Sequence, residues 1–181
     1  MQSTTSIRAL RSGAGFTIIE LMFTIMLAAL LMALAIPSFR SVIASNRLVT
    51  QANDIVSAMN YTRSEAISHN TTVTFCRANL EASTNCAGST GAWRFWIVRN
   101  AAGTVLRRGV VPPYDGTFSL SSTLVNDTMA VSGDGMSRSG GVLITDRTFT
   151  VCTGTITTDN VRTVTIGAGS RITTEKSSGA C

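Results

Sequence analysis

Histidine and lysine are nearly absent from this chain of 181 residues: His69 and Lys176 are the only ones. With a single imidazole, a His-dependent nucleophile or a metal cluster would have to rest on His69 alone. That residue falls at the expected end of a helix, where a capping or surface role suits it better. The scarcity of lysine removes the phosphate-cradling Gly-rich loop, which must end in Lys-Ser or Lys-Thr. None of the four cysteines is spaced C-x-x-C, so a zinc site is disfavoured. Gly133-Asp134-Gly135 has the start of a calcium loop without the ligands that should follow, and reads as a tight turn. There is no internal repeat and no low-complexity tract. The composition therefore argues against an enzyme, and calls for no metal and no cofactor.

What the chain does have is one long apolar run, residues 16–36, interrupted only by Glu20. Its 21 residues would make a helix of about 31 Å, the thickness of a bilayer core. A carboxylate near the head of a membrane helix costs roughly 2.5 to 3.5 kcal/mol, so its presence there signals a function. Ahead of it, residues 1–15 carry Arg8 and Arg11 and no acid. An ordinary secretory signal places its small-residue cleavage site after the apolar core. Here the natural processing point, between Gly15 and Phe16, precedes the core, so cleavage removes the basic leader and leaves the helix on the mature protein. The formal charge of +5 then falls to +3, with 13 basic against 10 acidic residues. That balance permits contact with nucleic acid or anionic lipid without requiring it.

Cys76, Cys86, Cys152 and Cys181 all follow the helix, an even number in the portion that would be exported. Disulfides formed in an oxidising periplasm explain them. Three connectivities exist, and sequence proximity favours Cys76 with Cys86 and Cys152 with Cys181.

Beyond residue 36 the pattern stays helical but changes character. Pro37 removes a backbone donor and crowds the carbonyl four residues back, which predicts a kink or a local loss of helix. From there to residue 70 the apolar positions thin to Leu48, Ala52, Ile55, Met59, Thr62 and Ala66, in steps of three and four. This half is amphipathic and should lay a narrow stripe on a sheet. Residues 71–181, about 110 in number, turn to short β-branched or aromatic runs between Gly and Asn. Strands are expected over 71–76, 93–99, 104–111, 118–120, 128–131, 141–145, 148–152 and 162–166, with a hairpin around Asn100-Ala101-Ala102-Gly103 and a loop over 112–116. The predicted architecture is α+β: a long N-terminal helix, its transmembrane half followed by its amphipathic half, packed on an antiparallel sheet domain.

Gly15-Phe16-Thr17-Ile18-Ile19-Glu20 resembles the class III signal of type IV prepilins and type II secretion pseudopilins, Gly, cut, Phe-Thr-Leu-Ile-Glu. Farther on come Arg63-Ser64-Glu65-Ala66, Val73-Thr74-Phe75-Cys76 and Gly91-Ala92-Trp93-Arg94-Phe95-Trp96-Ile97-Val98. Val131-Ser132-Gly133-Asp134-Gly135 and Val161-Arg162-Thr163-Val164-Thr165-Ile166 complete the series, in the order seen in the GspH/FimT family. That resemblance implies a pilin-like fibre subunit. It implies a prepilin peptidase that cuts after Gly15 and N-methylates Phe16, a single-pass stage in the bacterial inner membrane with the β domain in the periplasm, and later a place in a fibre at the cell surface. In the helical core of such a fibre, Glu20 would face the new amine of a neighbouring Phe16, a buried pair that chiefly sets register. The expected partners are other major and minor pilins. The leading function is a minor type IV pilin that primes assembly, at the tip of the pilus. Three alternatives are a minor pseudopilin of type II secretion, a DNA-binding minor pilin of natural transformation and a membrane-anchored β domain unrelated to fibres. DNA-binding members carry Gly-Arg-x-Arg near the C-terminus, where this chain reads Gly169-Ser170-Arg171-Ile172-Thr173 with one arginine. Candidate phosphate contacts are Arg171, Lys176, Arg107 and Arg108, and phosphate binding needs such charges clustered.

Overall fold

The computed structural model describes residues 15–112 and 117–181, the side chains of residues 34–38 excepted. The chain forms two compact units, Met1–Phe39 and Arg40–Cys181. The leader expected over residues 1–15 lies outside the described residues except for Gly15, and so does most of the loop expected over 112–116.

One helix, α1 (Ile18–Ser68), of 51 residues, precedes the strands. Its backbone is helical at Pro37, so helix is not lost there. In the second unit its stripe is buried: Leu48, Ile55, Thr62 and Ala66 have no exposed surface, and Ala52 and Met59 have 1%. The threonine fits among apolar neighbours because its hydroxyl donates to the Ala58 carbonyl one turn back, at 2.7 Å. Helix α1 ends in a Schellman arrangement. Asn70 takes the left-handed conformation at φ 46°, with the Thr71 N–H on the Ala66 carbonyl and the Asn70 N–H on that of Ile67. Gly133 passes so close to this cap that any Cβ there would collide with Asn70.

Ten strands follow: β1 (Val73–Ala78), β2 (Phe95–Asn100), β3 (Val105–Val110), β4 (Phe118–Ser122), β5 (Thr128–Val131), β6 (Ser137–Ser139), β7 (Val142–Leu143), β8 (Asp146–Thr153), β9 (Val161–Gly167) and β10 (Ile172–Ser177). The strands pair antiparallel, as expected, and form two sheets. A six-stranded sheet runs β3-β2-β1-β5-β6-β7 and a four-stranded sheet β10-β9-β8-β4. The β2–β3 hairpin turns at Asn100–Gly103, where Gly103 sits at φ 89° and the Asn100 side chain accepts from the Thr104 N–H at 2.9 Å. Two short or polar elements, β6 and β10, lack the expected apolar alternation and fall outside every expected strand, whereas the two-residue β7 lies within the strand expected over 141–145.

Phe75, Trp93, Trp96 and Phe149 form the centre of the core, with ring centroids 5.1 to 5.8 Å apart. The helix stripe, Val73 and Val98 of the larger sheet, and Val151, Val164 and Ile166 of the smaller one close around them. Trp96 can lie flat over β3 because its neighbour is Gly109, where a Cβ would strike the indole. A second, smaller cluster of Cys76, Ala78 and Ile97 sits on the opposite side of β1 and β2, with Cys86, Phe95 and Val105 packed against it.

Candidate assembly surfaces

At the start of α1 the Thr17 hydroxyl accepts the backbone N–H of Glu20 at 3.3 Å, and the Leu21 N–H closes the first turn on the Thr17 carbonyl. Thr17 is therefore the N-cap and Glu20 the third helical residue, the spacing of a capping box. The carboxylate also lies in the first turn, where the helix dipole favours a negative charge. Thr17-x-x-Glu20 was open to view in the sequence. It supplies Glu20 with a local role in starting the helix beside any role between subunits. The apolar side chains that follow are turned outward on every side, from Phe16 (83% exposed) and Ile18 (81%) to Leu31 (64%). Among the described residues no helix is long and apolar enough to cross a membrane. The expected span of 16–36 includes residues 34–36, whose side chains lie outside the described residues.

Both disulfides lie in the second unit. Cys76 of β1 joins Cys86 in the loop after it, and Cys152 of β8 joins Cys181 at the C-terminus, with Cα atoms 5.6 and 5.7 Å apart. The first ties the segment between β1 and β2 across the smaller hydrophobic cluster. A buried ion pair holds the same segment from the other side. Arg77 Nε donates to Asp127 Oδ2 at 3.1 Å, and that carboxylate also accepts from the Gly91 N–H at 2.8 Å and the Ser122 hydroxyl at 2.6 Å. The rest of the guanidinium reaches Asn79 and Ser89. An ion this deeply buried is tolerable only because its lone pairs are used. Nothing in the spacing of Arg77 and Asp127, fifty residues apart, announced the pair.

The candidate phosphate contacts are not brought together. Arg107 folds onto the molecule, its guanidinium carbon 5.9 Å from the Tyr61 ring centroid and 5.6 Å from that of Trp96, with Nη1 on the Ser57 hydroxyl. Burial and the Glu65 hydrogen bond hold the Tyr61 phenol above its ordinary pKa. Arg108 donates to the Glu81 carbonyl, and Arg99 to Asn85. These belong to β2 and β3, at the edge of the six-stranded sheet. Arg171 and Lys176 lie at β10, the edge of the other sheet. Lys176 is spent on Asp159 at 2.8 Å, a bond that lowers the aspartate's pKa. His69, just past the end of α1, lies 3.5 Å from Glu65 of that helix. Among the described residues no group of three or more His, Cys, Asp or Glu could hold a metal ion.

A long N-terminal helix laid by its second half on antiparallel sheets is the architecture of pilin subunits. Two crystal forms of the type IV minor pilin FimU from Pseudomonas aeruginosa PAO1 share it. They are 20% and 21% identical over 71% and 72% of this chain and 92% and 89% of theirs, with TM-scores of 0.50 and 0.51. At that identity the likeness establishes the fold. No curated protein sequence matches the chain. The family model described as type II transport protein GspH matches residues 51–170. The chain belongs to that family.

Proposed function

We propose that this protein is a minor type IV pilin which is cut between Gly15 and Phe16, N-methylated at Phe16, held in the inner membrane by residues 16–36, and then built into the tip of a pilus, where it primes assembly with other pilins. The observation that carries the reading is the exposed apolar surface of α1 ahead of a domain that already has a complete core of its own. A helix apolar all round needs lipid or other helices on every side. The β domain would then face the periplasm and later the fibre exterior. Glu20, one turn from the new amine, would neutralise the N-terminus of an adjacent subunit, and a bend at Pro37 would let the two halves of α1 follow different surroundings.

Processing and assembly can be separated by two variants of the full chain. Gly15→Val should accumulate as precursor in the inner membrane, whereas Glu20→Leu should be cut normally but fail to enter fibres. A mature N-terminus other than Phe16, or normal fibre entry of Glu20→Leu, would count against the proposal. Copurification of the detergent-solubilised chain with pilus minor pilins, set against type II pseudopilins, decides between the pilus and a secretion role.

The second reading, a DNA receptor, has less support: its four candidate cations are divided between two sheet edges, and Lys176 is bound to an acid. Retention of DNA by the full chain should be weak and fade with salt. Submicromolar affinity near physiological salt, abolished by Arg171→Ala, would reverse this ranking.

A further inference from the structure

The outer edge of β10 is free: among the described residues β10 pairs with β9 alone. The chain after it does not cover that edge, because Gly179 bonds with Asn160 and Cys181 is tied to Cys152. Lysine commonly guards an open edge, but Lys176 is drawn onto Asp159 at 2.8 Å. Arg171 and Glu175 flank the strand's first half. Both are exposed, and among the described residues neither takes part in an ion pair.

The backbone pattern shows what this edge can accept. The Gly167 N–H donates to the Arg171 carbonyl at 2.7 Å, one step beyond the Ile172↔Ile166 pair. Arg171, Thr173 and Glu175 therefore turn their backbone groups toward β9. Ile172, Thr174 and Lys176 turn theirs to the open side. An antiparallel strand docking there must meet those three residues with outward groups of its own. A second copy of β10 does so when the two-fold axis passes through Thr173. Ile172 of each copy then exchanges hydrogen bonds with Thr174 of the other. Arg171 of each copy stands opposite Glu175 of the other, at the closely spaced positions where side chains meet. Centring the axis one residue either way leaves both charges opposite neutral residues. Centring it on Glu175 sets two carboxylates against each other. One register thus satisfies both the backbone and the charges. It also extends the cross-strand row Thr148, Thr165, Thr173 into the second copy.

We infer that the β10 edge is a homotypic docking site, joining two copies of this chain by strand addition in the Thr173↔Thr173 register with reciprocal Arg171–Glu175 pairs. Arg171 and the residues after it lie beyond the stretch matched by the family model. The inference does not depend on whether the fibre is a pilus or a secretion pseudopilus, and the processing variants above leave it untouched.

The test is cysteine crosslinking of the full-length protein in its native membrane under mild oxidation, since all four natural cysteines are already paired. Thr173→Cys should give a covalent dimer on a non-reducing gel, because directly opposed strand positions fall within disulfide reach. Ser177→Cys, four positions along the same strand, should not. Within the Thr173→Cys background, Glu175→Arg turns two attractive cross-strand pairs into repulsive ones and should cut dimer yield by about tenfold. Adding Arg171→Glu should restore it. Glu175→Gln, a milder exposed change, should fall between. The proposal is overturned by the absence of a dimer at position 173, by equal yields at 173 and 177, or by indifference to charge reversal. A crosslink from position 173 to a different protein would also overturn it, giving the edge to another partner.

Discussion

The two halves of α1 share a backbone and little else. Every described side chain from residue 18 to 33 is exposed, while between Ala44 and Ala66 the helix buries nine of 23 residues along one stripe. The first half is apolar around its whole circumference, so no single face could satisfy it. The second concentrates its apolar residues on a stripe that two sheets are able to cover. Where the periodicity of apolar residues is 3.6, the chain itself supplies the cover; where there is no periodicity, the described residues leave the apolar surface uncovered.

The contrast can be broken most severely from the buried side. Removing the Asp127 carboxylate leaves Arg77 buried without its counter-ion, a loss of about 3 to 5 kcal/mol. Asp127→Ala should therefore show the largest drop in unfolding free energy in a denaturant titration of the full chain in detergent. Next comes Cys181→Ser, which opens a loop of 29 residues and should cost roughly 3 to 4 kcal/mol through the unfolded state, seen as a lower melting temperature with an unchanged circular dichroism spectrum. Ile55→Ala, in the buried stripe, should cost about 3 kcal/mol by the same measurement. Leu27→Ala, in the exposed half, should leave the melting of the β domain unchanged and lower only the amount of protein recovered in fibres. If Leu27→Ala destabilised the domain as much as Ile55→Ala, the two halves would not differ in the way their burial indicates.

The smallest effect is electrostatic. The Arg138 hydrogen bond holds the Asp134 carboxyl down to about 2. Because the folded value lies below the unfolded one, its stabilisation is present above the ordinary carboxylate range and is lost as pH falls toward 2. The pair is largely solvated, so Arg138→Ala should raise the Asp134 pKa in an NMR titration with little change in melting temperature at neutral pH.

The helix stripe was legible because helical spacing is local: six positions named from steps of three and four all proved buried. The hairpin at Asn100–Gly103 was legible for the same reason, its turn residues being adjacent in sequence. Strand β10 was not, since Ile172–Ser177 has no apolar alternation and is a strand only because β9 offers it a partner. Helix-cap chemistry at Thr17 and Glu20 was present in the sequence but was overshadowed by the functional reading of the carboxylate.

The order of residue types along the chain was enough to determine a long helix in two halves, a β domain after it and the family to which the protein belongs. All of these depend on spacings of a few residues or on short motifs. Only the tertiary structure decided that the strands divide into two sheets, that Arg77 meets Asp127 across fifty positions, and that Arg107 lies against Tyr61 and Trp96 while Arg171 stands on a free edge. Such contacts join residues far apart in sequence, and they form because burial and hydrogen bonding are settled over the whole domain at once.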